Sequence, residues 1–417
     1  MTTEKTQVLV AGAGASGLMA AIECAKQGSK VLIIEHKEKA GKKLLATGNG
    51  KCNFTNTYFR RDCFRSERND LAWEALSIFG AEDSIRFFER IGVLSKEKNG
   101  YYYPYSGQAV SVLESLINEA ERLGVAICCQ EKLKNIEKKE HIFYVQTDLR
   151  RIEAKKVIIS VGGKAAPRLG TEGNGYKIAR KFGHTIIPTV PALTGIQCRG
   201  SYYKDWSGVR TDGKISVYID EKKAAEDTGE LQLTNYGVSG IPVFQVSRFV
   251  SKALYEKKQV TAVIDFMPLM EKETFIQWIE TSQKEYPDKS IMNMASGIMN
   301  KKLALVWLRR CKISETEKMK NVSKERIVNM ATVLKEWILV VENTNGFDQA
   351  QVTQGGISLE EIQMNTMESK KVKGLYFTGE ILDVDGICGG YNLQWAWTSG
   401  YIAGKAAGND SNWTTKD

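Results

Sequence analysis

Histidine is scarce, with three in 417 residues, and none of the eight cysteines forms a Cys-x-x-Cys pair. No zinc-ligand spacing exists in such a chain, and no metal site is expected. An apolar run of about 18 residues, the length a membrane helix needs, is also missing, so no span is expected. The N-terminus enters an apolar strand almost at once, without a leader pattern. The chain therefore reads as a cytoplasmic protein with reduced thiols. Repeats and low-complexity tracts are missing too. Net charge is +9, yet the basic residues come in scattered pairs such as Lys138-Lys139, Lys222-Lys223 and Arg309-Arg310, with acids nearby. The lack of a basic stripe with interleaved aromatics argues against a nucleic-acid partner. A solvated basic surface that draws anionic ligands fits better. No feature fixes the oligomeric state.

What is present is ordinary globular composition, 42% hydrophobic and 26% charged, at a length that suits two or three domains. The most informative segment is VLVAGAGASGLMAA, where Gly12, Gly14 and Gly17 stand in G-x-G-x-x-G spacing. Gln7–Ala11 reads as a buried parallel strand, Ala15–Gln27 as a helix ended by Gly28, and Val31–Glu35 as a second strand. In such a unit the first glycine permits the tight turn, the second admits a pyrophosphate, and the third lets helix and strand pack closely. The phosphates would sit on free N–H groups at the helix start. Glu35, followed by His36, ends the second strand 18 residues after Gly17, where its carboxylate can accept both hydroxyls of an adenosine ribose. Together these features predict a bound dinucleotide.

Periodicity organises the remainder. Residues 36–58 read as loop and 70–90 as helical. Ser106 is a plausible N-cap for a helix closed by Gly124. Strands around 125–129, 132–138, 142–147 and 151–161 suggest a small antiparallel meander. Val157–Gly163 is another buried strand ending in glycines. After Pro191 the pattern turns to β, then to mainly helical over 271–335, then back to strand over 337–357. Residues 391–407 read as a helix. The expected class is α/β: a glutathione-reductase-type FAD-binding Rossmann domain, residues 1–190 and 350–417, with an inserted β-rich, barrel-like substrate domain at 191–349 that carries a small helical subdomain at about 267–335.

Three features favour FAD over NAD. The strand LYFTGE ends in Gly379-Glu380, similar to the strand that sets an acid by the ribityl and phosphate region of FAD enzymes. VIISVGG resembles the element between the two halves of FAD domains. A helix starting near Tyr391 would aim its positive end at the isoalloxazine. No second G-x-G-x-x-G unit exists, so NADH or NADPH, as a transient reductant, would enter the substrate cleft directly.

Five separated stretches then occur in order: 40–56 (AGKKLLATGNGKCNFTN), 162–193, 233–240 (LTNYGVSG), 350–356 (AQVTQGG) and 378–400. Together they resemble the BaiN/YhiN-like flavoprotein family. Ala165 stands where a serine is usual, and Thr234-Asn235-Tyr236-Gly237 where a Thr-His version is usual. The resemblance implies FAD contacts at Ala15, Ser16 and Glu35. It extends them to the loop carrying Lys42, Lys43, Thr47, Gly48, Gly50, Cys52 and Asn53, and to Gly162, Glu380, Asp385, Gly390, Tyr391, Asn392 and Leu393, with Leu133 as a strand residue whose backbone meets adenine. Lys42 and Lys43 suit pyrophosphate charge, and Asn53 offers donors and acceptors to the flavin edge. Tyr236 and Tyr391 are the candidate catalytic hydroxyls.

Other residues admit two readings. Cys52 and Cys388 are redox thiols or small packing residues. His184 is a helix-end cap or a catalytic base. Tyr101, Tyr102, Tyr103 and Tyr105 wall a flat apolar pocket or pack between domains. Met292, Met294 and Met299 form an apolar lid or ordinary core. The resemblance implies an NAD(P)H-driven reductase of a conjugated C=C bond in a flat, apolar, steroid-like substrate, since one type of member reduces 3-oxo-Δ4 and Δ4,6 bile acids. An O2-dependent oxidase of a small amine or amino ketone is the alternative. A non-catalytic flavoprotein that binds RNA or a protein partner is a further one.

Overall fold

The chain is described, over residues 3–409, by a computed structural model. It divides into two units, one made of the residues up to Thr189 and those from Val352 onward, the other of Val190–Gln351.

The first unit is organised around β1 (Thr3–Ala11). Residues Val8–Ala11 are buried without alternation, the pattern of a parallel strand covered on both faces. β1 leads through Gly12 into α1 (Ala15–Lys26), and Gly28 turns the chain into β2 (Val31–Ile34), which pairs parallel to β1. A short helix, α2 (Lys42–Ala46), opens the glycine loop that follows. Next come β3 (Ala126–Cys128), the hairpin β4 (Leu133–Lys139) and β5 (Ile142–Thr147), and β6 (Arg151–Ile159). A return strand, Leu375–Phe377, completes a sheet in the order return strand, β6, β1, β2, β3, with β5 antiparallel to β6.

The C-terminal helix, Tyr391–Gly408, lies along α1. The close approach is written as glycines four apart. A Cβ on Gly400 would stand 2.5 Å from the carbonyl oxygen of Ser16, one on Gly404 2.5 Å from that of Ala20, and one on Gly408 2.8 Å from that of Cys24. The two ends of the polypeptide are thus joined backbone to backbone beneath the G-x-G-x-x-G turn.

The second unit is a closed barrel. Its strands are β7 (Ile196–Cys198), β8 (Arg210–Ile219), β9 (Lys222–Thr234), β10 (Gly237–Gly240), β11 (Val260–Asp265) and β12 (Trp337–Thr344), hydrogen-bonded in the order β7-β10-β9-β8-β11-β12. The helix Ile241–Tyr255 covers it with Val243, Val246, Val250 and Ala253. Four helices, Lys272–Glu285, Ile291–Ala295, Lys301–Arg310 and Lys324–Lys335, form the helical appendage. Their Phe275, Trp307 and Met330 join Leu231 and Trp337 of the barrel strands, and Trp206 of the short helix Tyr203–Trp206, in one apolar core. Met292 and Met294 are buried in that core, which settles them as packing residues.

Three local expectations need correction. Ala126–Cys128 is no part of an antiparallel meander: it follows a helix, Ala109–Arg122, and such a crossover returns it parallel to β2. Ser106 is not the N-cap of that helix. Gln108 occupies the cap position, while the Ser106 hydroxyl accepts from the Gln108 N–H at 3.3 Å and pairs with Ser111. The helical stretch 70–90 is two helices, Asn69–Ile78 and Ala81–Arg90, restarted where Asp83 accepts from the Gly80 N–H at 2.9 Å. Among the described residues no helix is long and apolar enough to cross a membrane, and no cluster of metal-ligating side chains is found.

Candidate functional site

The turn after β1 carries the three glycines in three different roles. Gly12 has φ +103°, and a Cβ there would meet the Ser160 carbonyl oxygen at 2.5 Å. A Cβ on Gly17 would lie 2.0 Å from the Gly12 carbonyl oxygen. Gly14 faces open space. It is also the cap residue of α1 and lends no side chain to the first-turn N–H groups, which stay available to an anion.

Glu35 organises the facing edge. Its Oε2 accepts from the Ala13 N–H at 2.9 Å, its Oε1 from the Lys37 N–H at 2.9 Å, and His36 Nδ1 lies 3.0 Å from Oε1. Burial opposes ionisation, but the His36 ring and the two N–H donors outweigh it and hold Glu35 below the usual carboxylate range. With about four acceptor positions on a carboxylate, three are spent on the turn itself and one remains for a ribose hydroxyl, rather than two. His36 Nε2 is buried with no hydrogen-bond partner. The Glu131 N–H donates to the Glu35 carbonyl at 2.8 Å. That contact draws the start of β4, with half-buried Leu133, alongside.

The backbone around α2 is repeatedly left-handed: Gly41 just before it and Gly48, Asn49, Gly50 and Cys52 after it all have φ between +54° and +81°. Gly48, Asn49 and Gly50 are exposed, and Thr47 ties the loop down by donating to the Leu44 carbonyl at 2.6 Å. Cys52 is fully buried, and burial pushes its thiol up to about 12. Such burial suits a packing residue better than a thiolate nucleophile. All eight cysteines are free. The Oδ1 atom of Asn53 is buried and accepts no hydrogen bond.

Lys42 and Lys43 are each held by a carboxylate: Lys42 by Glu38 at 2.8 Å and Lys43 by Glu380 at 2.5 Å. Glu380 also accepts from the Thr353 N–H at 2.8 Å, while the Thr353 hydroxyl accepts from the N–H groups of Lys164 and Ala165 at 2.7 and 2.9 Å. Thr353 thus fixes the turn after Gly162 and Gly163. It lies within AQVTQGG but is too common a residue type to be singled out by sequence. Gly162, at φ +72°, leaves room for Thr171, and Gly379, at φ +74°, for Ser16.

The C-terminal helix begins at Gly390, φ +94°, again without a side-chain cap. A Cβ there would stand 2.9 Å from Asn53 Oδ1. Asn392 clamps the approach by accepting from the Gly386 N–H and donating to the Gly386 carbonyl, both at 2.9 Å. Asp385 is buried in a short strand paired with Phe64–Arg65, and Leu393 is half-buried. Tyr391 is buried, and its hydroxyl donates to the Tyr58 carbonyl at 2.7 Å. Its proton is therefore committed to main chain, and burial pushes the phenol up. Tyr236 belongs to the second unit, where its hydroxyl accepts from Asn345 Nδ2 at 2.9 Å. His184 lies between Glu361 and Ser369, at 3.1 and 2.8 Å, and its N–H caps a helix end through Ala179.

Two uncapped helix starts, one open glycine and one orphaned buried acceptor, all within the first unit, fit a flavin dinucleotide. Gly14 and the start of α1 suit the pyrophosphate, Glu35 the ribose, and Asn53 with Gly390–Leu393 the ring. The molecule is an α/β protein with a Rossmann domain of the glutathione-reductase, FAD-binding class, interrupted by a β-rich domain with a helical appendage. The family model described as "HI0933-like protein Rossmann domain" matches residues 6–406, and the chain belongs to that family.

Among curated relatives, a 3-dehydro-bile acid delta(4,6)-reductase of Clostridium scindens is 42% identical over 95% of this chain and 98% of its own. Ribosomal RNA dihydrouridine synthases of Haemophilus influenzae and Escherichia coli are 30% and 28% identical, over 96% and 95% of this chain and 98% and 97% of theirs. The expected absence of a nucleic-acid partner finds no support in those two names. Among solved structures, a quinol–fumarate reductase with menaquinol molecules aligns with a TM-score of 0.51 at 14% identity, covering 99% of this chain and 73% of that one. A flavocytochrome c3 fumarate reductase aligns with 0.50 at 14% identity, covering 97% and 78%. Both likenesses concern the fold.

Proposed function

We propose that this chain is an FAD-dependent oxidoreductase that saturates a C=C bond conjugated to a ketone in a flat 3-oxo steroid acid, with NADH or NADPH as electron source. The supporting observation is the 42% identity to a bile acid reductase across nearly the full length of both chains, joined to turns and helix starts of the first unit whose polar atoms fit the cofactor. When bound, FAD supplies reversible two-electron chemistry.

The chain's own residues supply the rest. The start of α1 and its uncapped N–H groups hold phosphate charge, while Glu35 and the loop after α2 orient the dinucleotide. The start of the C-terminal helix offers a positive end to negative charge on the reduced ring. Asn53 Oδ1 offers an acceptor to a ring N–H. Without a second dinucleotide-binding unit, the reductant has no docking domain of its own and reaches the ring from the substrate side.

The test is direct. The purified chain, loaded with FAD, is incubated anaerobically with NADH or NADPH and a 3-oxo-Δ4 steroid acid. Formation of the 4,5-dihydro product is expected, and unchanged steroid beside competent cofactor reduction would eliminate the reading. A second reading, saturation of uracil in ribosomal RNA, draws on the two relatives named for it. Uracil C5=C6 is also conjugated to a carbonyl, so the chemistry is shared and only the substrate differs. Dihydrouridine appearing in an RNA transcript would favour that substrate. Fast peroxide release with aminoacetone and no C=C turnover would favour the oxidase.

A further inference from the structure

We propose that a small sheet beside the start of the C-terminal helix selects the substrate: Tyr101 and Tyr103 carry the flat rings of the steroid acid, and Lys98 pairs with its carboxylate. The inference rests on the C=C reductase reading above and names the residues that would prefer an acid.

The sheet has three short strands, all in the first unit. Thr55–Asn56 pairs with Tyr101–Pro104, which pairs in turn with Ser95–Lys98. Successive side chains of a strand alternate between faces. Lateral partners share a face, so Asn56, Tyr101 and Lys98 point one way, with Tyr103 and Lys96 next along. Thr55, Tyr102 and Glu97 point the other way. At the second face Thr55 is fully buried, and the half-buried Tyr102 meets Phe54 edge-on with ring centroids 6.4 Å apart. Alternation therefore divides the tyrosine run, with Tyr102 packing inward and Tyr101 and Tyr103 on the opposite side.

That opposite face borders the residues proposed for the cofactor ring. The strand Thr55–Asn56 starts two positions after Asn53, and the Phe54 N–H donates to the Tyr102 carbonyl at 3.0 Å. Asn56 Nδ2 donates to the Gly389 carbonyl at 3.2 Å. Gly389 has φ +124°, and a Cβ there would stand 2.9 Å from Cε1 of Tyr101 and 3.1 Å from Cε2 of Tyr391. Tyr101 thus lies against the turn that opens the C-terminal helix, and it is 38% exposed.

The face carries uncommitted polar groups. The Tyr101 and Tyr103 hydroxyls make no hydrogen bond among the described residues. Lys98 is exposed, and its ammonium meets no carboxylate among the described residues. Its neighbour Glu97 is on the other face and accepts from the Gly100 N–H. Lys96 is committed, donating to the Tyr105 carbonyl at 2.9 Å. Arg68 and Arg86 of the same unit each hold two carboxylates. One unpaired cation directly across from an exposed aromatic ring suits a ligand that is flat and apolar along its length and anionic at one end.

The test uses full-length FAD-loaded protein with a 3-oxo-Δ4 steroid acid and its methyl ester, which keeps the rings and removes the charge. An exposed ion pair changes affinity only a few-fold, so charge reversal gives the clearer reading. Wild type is expected to show a KM for the acid at least about threefold below that for the ester at low ionic strength. The gap should close at about 1 M salt, where the screening length is about 3 Å. Lys98→Glu is expected to invert the preference, with the acid at least about threefold above the ester. The change should lie in KM rather than kcat, as for a contact made equally in ground and transition states. Tyr101→Ala should raise KM for both compounds at least about fivefold without altering their ratio, and Tyr101→Phe, which keeps the ring, should restore both.

An acid-to-ester ratio that Lys98→Glu leaves within about twofold of wild type overturns the pairing. Unchanged KM values in Tyr101→Ala, or failure of Tyr101→Phe to restore them, overturn the role of the ring. Wild type reducing acid and ester equally at every salt concentration overturns the inference and leaves the reductase reading standing. Wild type reducing neither sinks that reading, and this inference with it.

Discussion

The backbone contact between α1 and the C-terminal helix makes a prediction whose sign separates two physical effects. Replacing Gly404 by alanine puts a methyl in the middle of a helix, where propensity alone stabilises by about 1 kcal/mol. That methyl would stand 2.5 Å from the Ala20 carbonyl oxygen and 2.7 Å from Glu23 Cβ, about 0.9 Å inside ordinary contact. Neither neighbour is the free end of a long side chain, so the helices must part. Overpacking of this kind costs about 1–3 kcal/mol. The net expectation is a loss of about 1 kcal/mol, or roughly 2–4 °C in melting temperature for a unit of this size.

The Gly400→Ala, Gly404→Ala double variant should lose less than the sum, because one outward shift relieves both clashes. Urea titration followed by tryptophan fluorescence reads this directly, since Trp395 and Trp397 are buried on the helix concerned. An alanine variant that melts higher than wild type would refute the contact. The same shift would carry Gly390 away from Asn53, so FAD affinity should fall with stability.

Two further outcomes follow from buried carboxylates. Glu35→Gln leaves one of the Ala13 and Lys37 N–H groups facing an amide N–H, at about 1–3 kcal/mol, and should weaken FAD binding at least tenfold. Glu35 is held low, so its contribution is complete above the ordinary carboxylate range and vanishes as pH falls through its lowered value. Wild type and variant should therefore converge in acid, and a constant gap in urea titrations at pH 7 and pH 3 would contradict this. Asp383 behaves oppositely: burial pushes it up to about 6, nearby Asp385 adds to that, and the Glu67 N–H and Ser66 hydroxyl resist. The folded chain keeps a proton that the unfolded chain releases from about pH 4, so stability falls as pH rises to 6, by about 3 kcal/mol at 1.36 kcal/mol per unit. Asp383→Asn, which still accepts from Ser66 and Glu67, should remove that slope and be the more stable protein at pH 7.

The nucleotide half of the molecule was readable because its glycines are local. Gly12, Gly14 and Gly17 act within six residues of one another, and Glu35 ends the very next strand. What escaped was non-local. The ridge Gly400, Gly404, Gly408 is invisible as a contact until α1 is placed beside it, since in a lone helix those glycines only cost stability. Thr353 and Asn345 escaped for a related reason. Each works by holding the backbone or phenol of a residue more than a hundred positions away, and neither belongs to a motif with spacing of its own. The lysines were read as phosphate ligands from the resemblance and their charge, whereas Lys42 meets Glu38 four residues away and Lys43 meets Glu380, which only the fold brings near.

The same comparison bears on where function is encoded. The residues proposed to hold the dinucleotide lie within the first unit, several of them at turns with glycine at positive φ, such as Gly12, Gly162, Gly379 and Gly390. A site of this kind is defined more by backbone than by side chains, and backbone tolerates drift in side chains. Substrate choice must then be written where side chains rather than backbone decide. A relative that acts on a different enone has reason to keep Gly12, Gly17 and Gly390, where an added Cβ would strike backbone or a buried side chain, and to vary its side chains elsewhere.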